Sequence, residues 1–392
     1  MRLGLILLCA GYVLSQFYRA FLAVLSQVLE TDIGAGPDDL AFASGLWFVT
    51  FAAMQIPVGE ALDRIGPRRT AATLLLLGGG GGALVFAMAT TPAHVAIAMA
   101  MIGVGCSPVL MASYYIFARM FPADMFATLG AVMIGVGSVG NLASSSPLAW
   151  AVEAFGWRES LVALAAISAL MALGIWLTVQ DPPRVEEARK GSVLDLLRLP
   201  AMWLIFPLMF VNYAPAAGLR GLWIGPYLGD VHGATSAVIG NATLIMGVAM
   251  IVGTFAYGPL DRWLGTRKWV VFVGNAAGML ALLVLAAQPD LGFGAALALC
   301  AAVGLFGMSF PMLMAHGRSF IPTHLAGRGV TLMNLFGIGG VGLFQVVTGR
   351  LHGGVSDMGG APSLPYQVVF GFFAALLLLG LALYLFSRDR LD

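Results

Sequence analysis

Gly59-Glu60-Ala61-Leu62-Asp63-Arg64-Ile65-Gly66-Pro67-Arg68-Arg69 is a concentration of charge between two long apolar stretches. A related run, Asp261-Arg262-Trp263-Leu264-Gly265-Thr266-Arg267-Lys268, returns about 200 residues later. In a chain that is 59% hydrophobic and 10% charged, such clusters belong where water or lipid headgroups solvate them, at short turns between membrane spans. Their recurrence predicts a chain built as two similar halves.

Composition agrees. A mean hydropathy of +0.91 over 392 residues lies far outside the range of soluble domains, where about a quarter of residues are charged. The lipid bilayer is therefore the expected solvent. Net charge is +1, and no basic run has the density of a nucleic-acid groove, so nucleic acid is excluded as a partner. Cys9, Cys106 and Cys300 sit in apolar runs without paired or metal-ligand spacing and read as buried small hydrophobes. No metal site or cofactor is expected. The start of the chain lacks a small-residue cleavage site and reads as a first membrane helix.

Glycine, proline and charge punctuation divides the chain into twelve windows of about 20 or more apolar residues, the length of a membrane helix: 3–29, 39–62, 70–90, 94–118, 126–152, 160–180, 202–228, 236–260, 269–287, 292–316, 329–350 and 366–387. In the third window the glycines at 78–82 are expected to allow close backbone approach. With both termini cytoplasmic, 16 of the 20 basic residues fall in cytoplasmic segments; Arg158 and Arg350 fall outside, and Arg19 and Arg220 within spans. Lysine and arginine collect on the cytoplasmic side, so the bias sets this orientation. The expected domains are a six-helix bundle over 1–180, a linker with a short interfacial helix over 181–201, and a second bundle over 202–392. Pro108-Val109-Leu110-Met111-Ala112 pairs with Pro311-Met312-Leu313-Met314-Ala315, and the glycine run 135–140 with 337–342.

Twelve spans in two halves, a long central loop, and Gly59-x-x-x-Asp63-Arg64-x-Gly66-x-Arg68-Arg69 between the second and third spans together resemble the major facilitator superfamily across essentially the whole chain. The second copy departs from the pattern, with Gly258 three residues before Asp261 and one extra residue before Gly265. The resemblance implies an all-α membrane protein of two pseudo-symmetric six-helix bundles that rock about a central cavity, giving alternating access. It also implies a gating role for Gly59, Asp63, Arg64, Gly66, Arg68, Arg69, Arg119, Asp261, Arg262, Gly265, Arg267 and Lys268. Physically, an anion at a helix C-terminus needs a cation or another helix's N-terminus. Candidate partners are Arg119 and the region of Arg328 for Asp63, and Arg318 and the start of the fifth span for Asp261.

A charge at mid-membrane costs roughly 2.5 to 3.5 kcal/mol on the lenient insertion scale. Arg19 and Arg220 occupy matching places, 44 residues before Asp63 and 41 before Asp261. Tyr12, Ser15, Gln16, Arg19 and Ser26 share one face of a straight helix, as do Tyr213, Arg220 and Tyr227. Among the 19 acidic residues, only Asp39, the first residue of its window, and Glu60, near the other rim, fall inside a window and none lies at mid-span, so the missing counter-charge is read as the solute, whose carboxylate or phosphate suits the guanidinium fork. Backbone carbonyls and polar neighbours satisfying the arginines are the structural alternative. The full set of candidate solute-binding residues is Arg19, Arg220, Gln16, Tyr12, Ser15, Tyr114, Tyr115, Asn141, Tyr213 and Asn334. Trp47, Gln55, Ser145, Asn212, Asn241 and Gln345 are further residues able to line a cavity or bond between helices.

His94, His232, His316, His324 and His352 fall in loops or at span ends and read as solvated. No nucleophile with a base, facing carboxylates or phosphate-cradling loop marks an enzyme or an ATPase. The sequence thus reads as a monomeric inner-membrane carrier of a small organic anion, working by uniport or exchange, with Arg19 and Arg220 clamping the anion. The alternative is a proton-coupled exporter of drugs or amphiphilic compounds. Met99 in the fourth span and Gly140-Asn141 in the fifth stand where that branch tends to carry an arginine and a Gly-Pro pair.

Overall fold

The computed structural model describes the backbone of residues 2–121, 123–183, 193–321 and 326–390. Every regular element among them is helical. Ten helices are long and apolar enough to cross a bilayer, and an eleventh span forms if Leu3–Phe17 and Leu22–Ile33, bent by 53°, count as one. The remaining window, the fifth, is two helices, Ala123–Ala143 and Ser146–Phe155. Its break has a local cause: the hydroxyls of Ser144 and Ser145 bond back to the Asn141 carbonyl at 2.9 and 3.3 Å, and Pro147 has no N–H to continue the ladder to Ala143, whose carbonyl its ring would crowd.

The chain divides into two compact units, Met1–Glu187 with Ile239–Asn241, and Ala188–Val238 with Ala242–Asp392. Packing within them repeats. The first segment touches the fifth and sixth as the seventh touches the eleventh and twelfth, and the third packs on the sixth as the ninth does on the twelfth. Glycine sets the closest approaches. A Cβ on Gly140 would strike the Val13 carbonyl, and one on Gly340 would strike the Phe210 carbonyl. The contacts equate Gly140 with Gly340, two residues off the sequence pairing of 135–140 with 337–342, and equate Gly137 with Gly337, each of which has an aromatic ring against it.

The third segment confirms the role expected for its glycine run. It carries a π-turn at Leu75–Gly80, and a Cβ on Gly78 would lie 2.5 Å from the Gly105 nitrogen of the fourth segment. Of the linker, residues 184–192 lie outside the described residues, and Val193–Arg198 forms a short 3-10 helix with Leu196 buried.

Candidate solute-binding residues and the charged turns

Arg19 lies in the turn that joins the two helices of the first segment. Tyr18 locks this turn, its hydroxyl 3.1 Å from Ser168 Oγ, within an aromatic cluster of Phe17, Phe21 and Phe86. Irregular backbone at membrane depth is tolerated where protein or a water-filled cavity surrounds it. The Arg19 guanidinium carbon lies 5.2 Å from the centre of the Trp47 ring and 4.9 Å from that of Phe51. Those two rings are stacked, 5.1 Å apart and 13° from parallel. Arg19 Nε is buried without a hydrogen-bond partner, and among the described residues no carboxylate pairs with this arginine.

Arg220 is also at an irregularity. The seventh segment runs Met202–Asn212, Ala214–Gly218, a π-turn Leu219–Trp223 and Ile224–His232, and π-turns recur at functional sites. The arginine is 3% exposed. Its guanidinium packs on Gly247 of the eighth segment, where a Cβ would come within 3.0 Å of Nε and Nη2. Tyr213 is its electrostatic neighbour.

The straight polar faces expected from sequence are both altered. The turn after Phe17 ends the first one: Tyr12, Ser15 and Gln16 stay together, with Gln16 Nε2 donating to Tyr12 Oη at 2.8 Å, while Ser26 bonds its own Ala23 carbonyl. In the seventh segment Tyr227 leaves the set, because it is fully buried and donates to the Pro289 carbonyl at 2.7 Å. Tyr114 is half-buried and an electrostatic neighbour of Tyr12. Tyr115 instead lies beneath Arg119, 4.5 Å from its guanidinium carbon. Asn141 and Asn334 are half-buried on the fifth and eleventh segments. Asn212 is an interhelical tie, donating to Asn275 Oδ1 at 2.6 Å and Ser309 Oγ at 2.7 Å.

At the charged turns, Asp63 pairs with Arg119 at 3.6 Å, one of its two expected partners; the Arg328 side chain lies outside the described residues. Glu60 pairs with Arg64 at 2.8 Å. Asp261 departs from expectation. It takes Arg267 Nη2 at 2.8 Å and Nε at 3.1 Å, because the extra residue before Gly265 and the left-handed Gly265 (φ 65°) turn the chain so that Arg267 folds back. Arg318 is exposed. Arg69 and Arg262 are exposed, Gly66 has φ 103°, and the space around a Gly59 Cβ is open.

Two acidic residues that sequence reasoning passed over complete these turns. Asp181 Oδ1 accepts the Arg68 N–H at 2.8 Å, and Asp389 Oδ1 accepts those of Arg267 and Lys268 at 3.1 and 2.9 Å. The available signal was an aspartate just past the last span of each half. The histidines also need correcting: His316 is fully buried, 2.6 Å from Tyr384 Oη and 3.0 Å from the Arg388 carbonyl. His352 is buried against Trp223 and Tyr366. Both lie deeper than span ends suggest, because their helices continue past the predicted boundaries or pack beneath the chain end. His324 lies outside the described residues.

Paired bundles of apolar helices, each with a broken first helix carrying an arginine and a charged turn after its second, define a multi-pass membrane carrier. The chain matches the Major Facilitator Superfamily over residues 8–344 and belongs to that family; it is a membrane transporter, not an enzyme. No curated protein matches it significantly. Among solved structures it resembles a bacterial homologue of the human lysosomal transporter Spinster, with a TM-score of 0.77, 16% identity and coverage of 99% of this chain and 98% of that one. It likewise resembles a D-xylose-proton symporter (TM-score 0.76, 15% identity, 95% and 96% covered) and the nucleoside transporter NupG (0.73, 17%, 98% and 98%). At such identities the likeness shows the fold.

Proposed function

We propose that this transporter moves a small organic anion, bearing a carboxylate or a phosphate, across the cell inner membrane by alternating access, as a monomer with its charged turns in the cytoplasm. The observation that carries the reading is Arg19: a permanent cation set in a helix break, faced by aromatic rings, with a buried Nε–H that no described acceptor satisfies. Guanidinium stays charged at any physiological pH, so an anionic solute is the economical counter-charge. Arg220, enclosed in the π-turn of the second unit, is the second anion-binding residue, with Tyr12, Ser15, Gln16, Tyr114, Tyr115, Asn141, Tyr213 and Asn334 as the wider set. Energy comes from the solute gradient or from exchange.

Purified protein reconstituted in liposomes tests this. Uptake of labelled anions is expected in the wild type and absent in Arg19→Ala and Arg220→Ala proteins that insert normally; full uptake in both variants would refute the reading. One feature favours a second reading, a proton-coupled exporter of amphiphilic compounds. A cavity of about 550 Å³ in the first unit is walled by Phe17, Leu148, Phe155, Leu164 and Ile167 with Glu159 on its lining. It would be preferred if lipophilic cations, and no anions, raise the melting temperature.

A further inference from the structure

We infer that the Trp47 indole N–H is a second anion donor, and that it forms with Arg19 Nε one oxyanion subsite within the first unit. The inference rests on the anion reading above. Trp47 is 0% exposed, and its Nε1 has no hydrogen-bond partner among the described residues. A buried tryptophan N–H usually finds one, and leaving a buried donor unsatisfied costs about 1 to 3 kcal/mol.

The polar side chains nearest on the same helix turn their donors to main-chain carbonyls and accept from neither group: the Thr50 hydroxyl is shared among the Leu46, Trp47 and Ala100 carbonyls at 2.8 to 3.2 Å, Gln55 Nε2 donates to the Phe51 carbonyl at 3.1 Å, and Trp47 Nε1 and Arg19 Nε meet no acceptor among the described residues. Two orphaned donors therefore belong to neighbouring groups, the guanidinium carbon of one 5.2 Å from the centre of the ring that carries the other. Both demand an acceptor, and one of them carries a full positive charge. A carboxylate or phosphate, whose oxygens accept at every lone pair, satisfies both at once. Stacking of Trp47 on Phe51 at 13° holds the indole so that its N–H direction is set before the solute arrives, which lowers the ordering cost of binding.

The test is Trp47→Phe, which keeps an aromatic ring for the guanidinium and removes the N–H donor together with part of the buried ring. Binding of inorganic phosphate and of succinate is measured by calorimetry and thermal shift on wild type, Trp47→Phe and Arg19→Ala. Loss of one hydrogen bond to a charged group is expected to weaken binding of the recognised anion about tenfold, or about 1.4 kcal/mol, on top of a lower melting temperature of the ligand-free protein from the lost ring volume. Should Trp47→Phe fold poorly, Trp47→Tyr, which restores a donor, is expected to bind within a few-fold of wild type. Unaltered affinity in Trp47→Phe beside lost binding in Arg19→Ala would overturn the Trp47 assignment alone. Unaltered affinity in both, or no binding of either anion to the wild type, would overturn the anion reading with it.

Discussion

Asp389 caps the helix that begins at Lys268: its Oδ1 accepts the Lys268 N–H at 2.9 Å and the Arg267 N–H at 3.1 Å, while Oδ2 accepts the Thr266 hydroxyl. Asp181 does the same for the helix that begins at Pro67, taking the Arg68 N–H at 2.8 Å with its guanidinium 3.8 Å away. In each unit, then, an aspartate three to five residues past the last helix, which ends at Thr178 or Tyr384, closes the N-terminus of the third, where exposed N–H groups and the helix dipole favour a negative charge. The charged turn of the family motif is thereby anchored to its own unit from both sides.

Replacing Asp389 with Asn tests the cap. Burial pushes the Asp389 carboxyl up, but the hydrogen bonds from Thr266, Lys268 and Arg267 and the neighbouring His316 outweigh it and hold the group below its ordinary value. A carboxyl lowered by folding stabilises the protein above its unfolded value, near 3.9, and that stabilisation is lost as pH falls through the lower folded value. Asp389→Asn is expected to cost about 1 kcal/mol at pH 7, the scale of a helix cap. Thermal unfolding in detergent should show the gap between wild type and variant closing below about pH 4; a gap independent of pH would contradict the capping charge.

The motif, the two-unit plan and the close glycine packing were legible in sequence because they are local or periodic. The Asp63 partner Arg119 was legible too, since helix ends at one membrane face meet. Asp181 and Asp389 were not: they lie over 100 residues from the turns they cap, and each reads locally as the start of a tail. The Arg19 surroundings were half legible. Helical spacing places residues on one face only while the helix is straight, and the 53° bend after Phe17 moves Arg19 towards Trp47 and Phe51 of the second segment, whose rings look like ordinary packing residues. Tyr227 and Asn212 show the converse, polar groups spent on holding helices together.

Asp261 and Arg267 form a largely buried pair, their side chains 12% and 15% exposed. Removing one partner leaves the other charge in a poorly solvated place, so Asp261→Asn is expected to destabilise by about 3 kcal/mol. The double variant Asp261→Asn, Arg267→Gln should recover part of that loss. A melting-temperature cycle over the four proteins measures the coupling, and strictly additive losses would show that the pair contributes nothing as a unit.

Asn212, Asn275 and Ser309 tie the seventh, ninth and tenth segments at 2.6 to 2.8 Å. Because the Asn212 Nδ2 donors are both spent on protein groups, and its unpartnered Oδ1 is an acceptor that an anion does not seek, Asn212→Leu is expected to lower stability by about 1 kcal/mol, typical of hydrogen bonds between membrane helices, and to leave anion affinity unchanged. A fall in affinity without a fall in melting temperature would instead place Asn212 at the solute.

Two glycines of one motif should respond oppositely to alanine. Gly66 has φ 103° and ψ 157°, a region essentially closed to other residues, and an added Cβ would lie 2.8 Å from the Asp181 carboxyl carbon. Gly66→Ala therefore strains the backbone by about 1 to 3 kcal/mol and displaces the carboxylate that caps the helix behind it. Gly59 is in a helix with nothing within 4 Å of its Cβ position, so Gly59→Ala should leave the melting temperature unchanged or raise it slightly, alanine being the better helix former. If Gly59→Ala slows transport at unchanged stability, the space beside Gly59 is needed by a conformation other than this one, and its place in the motif is kinetic. Comparing melting temperature with initial transport rate for both variants separates the two cases: Gly66→Ala should lose both together, Gly59→Ala at most the rate.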